Sequence, residues 1–307
     1  MSKIFFLLLQ RFMEQKELGR TGERIPVIGL GTWQLKGSKA RSALVAGARA
    51  GAAFIDTAEI YHTEALVGMA LADARREGLN FFLATKVWPT HFHYDDVIKA
   101  CEGSLKRLGI STIDLYQLHW PNPSIPISET MRAMEELVER GKIRYIGVSN
   151  FSVKQLEEAR ASMKKYDVVS DQVEYNPYTR EAEKELIPYC EKEKITVIAY
   201  SPLGHGELLR DSGIRAELEK IGKAHGKTWV QVALAWLVSK PQVIAIPKAS
   251  TPEHAVEDAG AGDLVLSQDE IAAINAHLRP YSAWSGLKRK ALHALLSGYV
   301  RVASSFA

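Results

Sequence analysis

The amino-acid sequence predicts an α/β fold: a (β/α)8 TIM barrel with a short N-terminal β-hairpin and a C-terminal helical tail. Short runs rich in β-branched or aromatic residues recur along the chain, and segments with helical periodicity separate most of them. Because strands that alternate with helices imply a parallel sheet, eight such repeats over roughly 250 residues match a closed barrel. The eight runs are IPVIGLGTW, FIDTA, FFLATKV, IDLYQLHW, YIGVSN, SDQVEYN, TVIAYSPLG and VIAIPK.

Turn and cap signals agree with this alternation. The stretch KELGRTGERIPVIG predicts a hairpin that turns between Gly19 and Gly22 and closes the N-terminal end of the barrel. Predicted helices begin at capping residues such as Ser128 and Ser152, and several end at a glycine. The competing fold, a doubly wound nucleotide-binding sheet, requires G-x-G-x-x-G, but Gln34 stands at the third glycine position. The glycines that end predicted helices are Gly78, Gly109 and Gly141.

Composition and charge limit the function classes. The chain has 307 residues, 46% of them hydrophobic, which is enough for one large core, and a net charge of only +3. Lys and Arg are spread along the chain, so nucleic-acid binding is not expected. Cys101 and Cys190 match neither a disulfide framework nor a metal-binding knuckle. We therefore expect a cytoplasmic protein.

The two ends of the chain are expected to lie outside the repeating pattern. Residues 1–12 predict an extension, because the apolar run IFFLLL is too short for a signal-peptide core or a membrane span and Met13 offers a second start. One barrel domain follows over residues 13–307. Its tail, residues 280–307, has apolar side chains at helical spacing, which favours a helix packed on the barrel over one lying on a membrane.

Ionisable residues follow neighbouring predicted strands, at the barrel face where chemistry is expected. Asp56 and Tyr61 follow the second strand, Lys86 ends the third, and His119 ends the fourth. Each residue alone has a structural explanation, such as a helix cap, a half-buried ring or a hydrogen-bonded core histidine. Together they are harder to explain that way, because burying unpaired polar groups costs roughly 2 to 7 kcal/mol each.

The chemistry of these four side chains suits the reduction of a carbonyl group. A tyrosine keeps its proton at neutral pH and can give it to an oxygen that gains negative charge. The Lys86 ammonium would stabilise the phenolate left behind, and Asp56 would keep Lys86 charged and in place. His119 could orient the substrate. The hydride must come from a cofactor, because no side chain supplies one.

At this point the sequence resembles the aldo-keto reductases from about residue 13 to about residue 278. The matching segments are GLGTW, FIDTAEIY, ATKVW, DLYQLHWP, IGVSNF, QVEYNPY, YSPLG and IPKAS, in the family's order and approximate spacing. The resemblance implies a monomeric-type barrel, or a weak homo-oligomer, that binds NADPH and reduces aldehydes or ketones to alcohols. It assigns Tyr61 as the general acid, Lys86 and Asp56 as the pair that tunes it, and His119 as the substrate-orienting residue.

The same resemblance implies a set of binding residues. Ser149, Asn150 and Gln172 align with groups that hydrogen-bond the nicotinamide carboxamide, and Tyr200 aligns with the aromatic residue that stacks on its ring. Further cofactor positions are Thr32 at the end of the first strand, Ser201 and Leu203 in the pyrophosphate loop, and Lys248, Ser250, His254, Glu257 and Asp258 at the adenosine end. The substrate pocket is assigned walls at Trp33, Trp88 and Trp120.

The adenosine end departs from the family pattern. Lys248 is kept at the position that meets the 2′-phosphate of NADPH, but His254 stands where an arginine is common. Ala249 replaces a common serine, and Asp258 replaces a common asparagine. An arginine grips phosphate with a permanent two-pronged charge, whereas a histidine is only partly charged at neutral pH. NADPH is therefore expected to be preferred over NADH, but by a reduced margin.

Three alternatives remain at the level of sequence. A Schiff-base aldolase would also use a lysine such as Lys86 at a strand end, although it would not need the neighbouring phenol. A non-catalytic cofactor-binding regulatory barrel would keep the fold with little turnover. A metal site at His91 and His93 is the weakest, because two histidines without further ligands are more often rim residues.

Overall fold

The computed structural model describes residues 13–278 of the chain. The predictions of an extension over residues 1–12 and of a helical tail over residues 280–307 lie outside the described residues. Within residues 13–278, no helix is both long enough and apolar enough to cross a bilayer.

The core of the molecule is a closed parallel barrel, as the sequence predicts. Eight strands, β3 to β10, lie side by side in chain order. The ring closes where Ile28 pairs in parallel with Ala245 and the Gly31 N–H donates to Pro247 O at 2.8 Å. A side chain at Gly31 would meet Ile246 O at 2.7 Å, so this closure requires a glycine. The strands are β3 (Leu30–Gly31), β4 (Phe54–Asp56), β5 (Phe82–Val87), β6 (Ile113–Leu118), β7 (Ile143–Ser149), β8 (Val168–Glu174), β9 (Thr196–Tyr200) and β10 (Val243–Ala245).

Helices surround the barrel. A helix follows every strand, and α10 packs against α1 on either side of the barrel closure. The helices are α1 (Ala40–Arg49), α2 (Glu64–Arg76), α3 (Tyr94–Leu108), α4 (Ile127–Glu139), α5 (Val153–Ala161), α6 (Leu186–Glu193), α7 (Glu207–Arg210), α8 (Ser212–His225), α9 (Trp229–Val238), α10 (Pro252–Ala259) and α11 (Gln268–His277).

The predicted hairpin lies under the barrel. Its strands, β1 (Gln15–Glu17) and β2 (Arg24–Pro26), pair antiparallel. Leu18 and Ile25 are fully buried in one apolar cluster with the first residues of β4 and β5. Since parallel strands enter the barrel at its N-terminal end, this contact closes that end and leaves the opposite end for the site.

Two local details differ from the sequence prediction. Ser152 does cap α5 through a reciprocal bond with Gln155, but the helix near Ser128 already begins at Ile127, after Pro126. Ser128 is therefore inside the first turn, because a preceding proline has a φ suited to entering a helix. Helix α8, between β9 and α9, was not predicted as a separate element.

Candidate active site

Strand geometry brings the ionisable residues to one end of the barrel interior. Asp56 is the last residue of β4, and Lys86 lies near the end of the adjacent strand β5. Lys86 pairs in register with Gln117 of β6, so the two side chains lie at the same level of the barrel. His119 directly follows β6 and lies two residues after Gln117. Side chains two residues apart on a strand share a face, so His119 and Gln117 point to the same side.

The Asp56 carboxylate is fully engaged by the protein. Its Oδ1 accepts from Lys86 Nζ at 2.5 Å, and its Oδ2 accepts from the amides of Gln172 at 2.7 Å and Gln117 at 3.2 Å. Lys86 Nζ also donates to Thr57 O at 2.9 Å. Asp56 is 2% exposed and Lys86 is 0% exposed, so this is an ion pair removed from water.

Tyr61 reaches the same point from the next loop. It ends a single 3-10 turn, Glu59–Tyr61, directly after β4. Its hydroxyl lies 3.2 Å from His119 Nε2 and 3.5 Å from Lys86 Nζ, the second distance being the outer limit of a hydrogen bond. The phenol is therefore the outermost of the group, with the ion pair behind it and the imidazole beside it.

Burial sets the protonation of the phenol and the imidazole. The pKa of Tyr61 is raised well above its usual value of 10, first by burial and then by the Asp56 charge. The pKa of His119 is lowered well below 6.5 by burial and by Lys86. Burial also lowers the pKa of Lys86, and the adjacent Asp56 charge opposes that shift. At neutral pH the phenol is protonated and the imidazole is neutral.

Gln117 is a member of the cluster that the sequence analysis missed. It is 0% exposed, and its Oε1 accepts no hydrogen bond from the described residues. Gly147 of the neighbouring strand makes room for it, since a Cβ there would lie 2.9 Å from Gln117 Cγ. The available signal was its position two residues before His119, which places both side chains inside the barrel.

A second group of predicted residues lies beside the first, at the ends of β7 to β9. Asn150 Nδ2 donates to Ser149 Oγ at 2.9 Å, and the Tyr200 hydroxyl donates to Asn150 Oδ1 at 3.0 Å. Asn150 and Ser201 both have positive φ, 63° and 48°, which non-glycine residues adopt mainly at functional sites and turns. Through its bond to Asp56, Gln172 joins this group to the ion pair.

Two of the three tryptophans predicted as pocket walls contact histidine rings. Trp88 packs edge-on against His119 with ring centres 5.1 Å apart. Trp33 is 48% exposed and meets the ring of His205 edge-on at 5.9 Å. Trp120, which directly follows His119, is partly buried. Trp88 therefore lies beside Tyr61 and His119, whereas the place of Trp33 and Trp120 in a substrate pocket stays a prediction. His205, the ring partner of Trp33, was not predicted as a site residue.

The predicted adenosine-end residues form a third group on α10 and on the segment that connects β10 to it. Lys248 is exposed and donates to Ser250 Oγ at 3.2 Å, and the side chain of His254 is exposed on the first turn of α10. Asp258 is 5% exposed. Burial and the neighbouring Glu257 raise the pKa of Asp258 to about 7, and Lys248 opposes this.

Some predicted residues have other partners in the structure. The Thr32 hydroxyl donates to Asp56 O at 3.0 Å and contacts Thr63 Oγ1 at 3.1 Å, so its role towards a cofactor stays a prediction. Ser201 and Leu203 lie in the loop after β9, and their role also stays a prediction. His91 pairs with Glu59, whereas His93 pairs with the distant Glu129. The two histidines therefore do not converge on one point.

The chain is similar to known reductases over nearly all of its described length. The model of the aldo/keto reductase family matches residues 27–279. Methylglyoxal reductase YeaE of Escherichia coli (strain K12) is 37% identical over 273 residues, which cover 86% of this chain and 95% of that protein.

Solved structures that are similar to this chain are also aldo-keto reductases. The crystal structure of a thermostable aldo-keto reductase with the inhibitor epalrestat is 45% identical, with a TM-score of 0.79, and the match covers 86% of this chain and 99% of that one. An aldo/keto reductase from Klebsiella pneumoniae, solved with NADP and acetate, is 36% identical with a TM-score of 0.77, covering 88% and 97%. The chain is thus a member of the aldo/keto reductase family.

Proposed function

We propose that this protein reduces aldehydes or ketones to alcohols with NADPH, and that Tyr61 donates the proton. The observation that carries the proposal is the Tyr61 hydroxyl, which lies 3.2 Å from His119 Nε2 and 3.5 Å from Lys86 Nζ. A protonated phenol between a buried cation and a neutral imidazole is a suitable acid for a carbonyl oxygen that gains negative charge.

Each side chain has a separate part in moving that proton. Tyr61 holds it at neutral pH, because burial raises the pKa of the phenol. When the proton leaves, the phenolate faces Lys86, whose ammonium is held by Asp56. His119 is neutral, so its Nε2–H can donate a hydrogen bond to the same substrate oxygen without adding a second acid.

The residues present fit a nicotinamide cofactor. Gln172 donates its amide N–H to Asp56 at 2.7 Å, so its Oε1 would be the atom that accepts from the carboxamide N–H. Ser149 and Asn150 would hold the same group, and Tyr200 would support the ring. Lys248 and Ser250 would meet the 2′-phosphate of NADPH at the exposed end of the groove. The bound cofactor supplies the hydride.

For the substrate we propose a small carbonyl compound, with α-dicarbonyls such as methylglyoxal as the first candidates. One similar protein is a methylglyoxal reductase. Trp33, Trp88 and Trp120 would form the walls of the pocket. They would offer flat apolar surface and leave recognition of the reacting oxygen to Tyr61 and His119.

Two alternative functions, a Schiff-base aldolase and a non-catalytic regulatory barrel, are less well supported. An aldolase lysine must reach its substrate, but Lys86 is 0% exposed and lies behind Tyr61 in contact with Asp56. A regulatory barrel has no need for a buried cation next to a protonated phenol. The intact arrangement of Asp56, Lys86, Tyr61 and His119 therefore favours catalysis.

The test is the loss of NADPH absorbance with a panel of aldehydes, ketones, sugars and α-dicarbonyls. Tyr61→Phe removes the proton and keeps the ring, so kcat is expected to fall about 10²- to 10⁴-fold while the Kd for NADPH changes little. Full activity in Tyr61→Phe would refute the assigned proton donor. Trapping of a substrate on Lys86 by borohydride would instead support the aldolase.

A further inference from the structure

The carboxylate of Glu59 joins two loops at the mouth of the candidate active site. Its Oε1 accepts from the backbone N–H of Trp88 at 2.5 Å and from His91 Nδ1 at 3.0 Å. Glu59 begins the 3-10 turn that ends at Tyr61, whereas Trp88 and His91 belong to the loop after β5. The side chain of Glu59 is only 11% exposed and its bond to Trp88 is partly buried, whereas the side chain of His91 is 48% exposed.

These contacts complete a closed ring of interactions that includes Tyr61, the proposed proton donor. From Glu59 the ring passes to the Trp88 backbone, then through the Trp88 indole, whose ring centre is 5.1 Å from that of His119. His119 Nε2 contacts the Tyr61 hydroxyl at 3.2 Å, and the chain leads from Tyr61 back to Glu59 within one turn. Removing the carboxylate would open this ring at its outermost link.

We propose that Glu59 is a positioning residue of this site, which holds the Tyr61 turn against the Trp88 loop, and that His91 makes the hold sensitive to protonation. The inference rests on the proposed function, because it concerns where the proton donor and the pocket wall stand relative to a substrate. Glu59 itself does not touch Tyr61, Lys86 or His119 through its side chain.

The direction of the pH effect follows from the charges that face His91. A carboxylate can only accept, so Nδ1 carries a proton whether the imidazole is neutral or charged. Glu59 raises the pKa of His91, with a smaller contribution from Asp96 on α3, whereas Arg107 on the same helix opposes it. Protonation turns the hydrogen bond into an ion pair, so the hold is stronger on the acid side of the raised pKa.

Glu129 and His93 form a matched control pair. Glu129 Oε1 accepts from the backbone N–H of Tyr94 at 3.0 Å and from His93 Nδ1 at 3.1 Å. The donor types are the same as at Glu59, although the backbone bond is longer. This pair joins α4 to the start of α3 and contacts neither Trp88 nor Tyr61. It reproduces the local chemistry without the connection to the site.

The experiment compares the steady-state KM and kcat of the full-length wild type and of single variants, with an aromatic aldehyde as the substrate. Glu59→Ala is expected to raise KM about tenfold with a smaller fall in kcat, since both loops shift while the phenol stays bound to His119. Glu59→Gln keeps an acceptor for the Trp88 N–H and is expected to raise KM about threefold. Glu129→Ala should leave KM within about twofold of wild type. The Kd for NADPH should stay within about twofold of wild type in all variants.

The pH profile separates positioning from general damage to the fold. In wild type, KM is expected to rise about threefold from pH 6 to pH 8.5, and this rise should disappear in His91→Asn and persist in His93→Asn. Unchanged kinetics in Glu59→Ala, an equal effect of Glu129→Ala, or a parallel loss of NADPH binding would each overturn the inference.

Wild type and Tyr61→Phe are measured in the same series. If wild type oxidises no NADPH with any carbonyl compound, or if Tyr61→Phe is fully active, the proposed function and this inference both fall. If those two behave as expected and Glu59→Ala matches wild type, only the role of Glu59 is refuted.

Discussion

Lys86 Nζ lies 2.5 Å from Asp56 Oδ1 at the ends of adjacent strands, and both side chains are inside the barrel. Neither charge can be hydrated there, so each depends on the other and on the neutral groups around the pair. Two amides and one carbonyl oxygen provide those groups. The pair is therefore costly to keep without its partners, which makes it sensitive to single substitutions.

The first prediction concerns stability. Asp56→Asn leaves the Lys86 ammonium buried without its anion, so the free energy of unfolding should fall by about 3 to 5 kcal/mol in urea denaturation. The double variant Asp56→Asn with Lys86→Met removes the orphaned charge and should lose less than the sum of the single variants. As a control, Glu158→Gln removes an exposed partner of Lys154 and should change stability by less than about 1 kcal/mol. Additive single effects would contradict the coupling.

The second prediction concerns the two amides on Asp56 Oδ2. Gln117→Leu removes a 3.2 Å bond together with a buried oxygen that has no partner among the described residues. Stability should stay within about 1 kcal/mol of wild type because these losses offset each other, whereas kcat should fall roughly three- to tenfold. Gln172→Leu removes the shorter bond and should lower kcat further and weaken NADPH binding. A Gln117→Leu enzyme with wild-type kcat would show that Gln172 alone holds the carboxylate.

The features that could be predicted from the sequence are those with a local signal. The barrel followed from alternating patterns, and Asp56, Lys86 and His119 followed from their places at strand ends. Gln117 was missed because its spacing from His119 places it inside the barrel but does not show that it contacts Asp56, which follows from the register between strands. Glu59 was missed for the same reason, since its partners lie on another loop. Contacts between distant segments depend on register, and the sequence pattern does not encode register directly.

The third prediction concerns the choice between NADPH and NADH. As pH rises through about 7, Asp258 gains a negative charge close to Lys248. This change weakens the attraction for a 2′-phosphate. The ratio of kcat/KM for NADPH to that for NADH is therefore expected to be larger at pH 6 than at pH 8.

Two variants test the contributions separately. Asp258→Asn removes the titrating carboxyl and should flatten the dependence on pH without a large change at pH 6. His254→Arg introduces a two-pronged guanidinium and should increase the ratio at both pH values. A ratio that is large and equal at both pH values in wild type would contradict the prediction for Asp258.

The last prediction concerns the pH profile of kcat for reduction. Tyr61 must be protonated to act as the acid, and its raised pKa keeps the proton on the phenol across the neutral range. His119 must be neutral to donate without charge, and its lowered pKa keeps it so above the acid range. Neither group changes its charge between about pH 6 and about pH 9, so kcat should be nearly constant over that interval. His119→Asn should raise KM and keep the flat profile, since an amide also donates a neutral hydrogen bond. An inflection near pH 6.5 that disappears in His119→Asn would show that the imidazole titrates in the working enzyme, and that its burial does not hold it neutral.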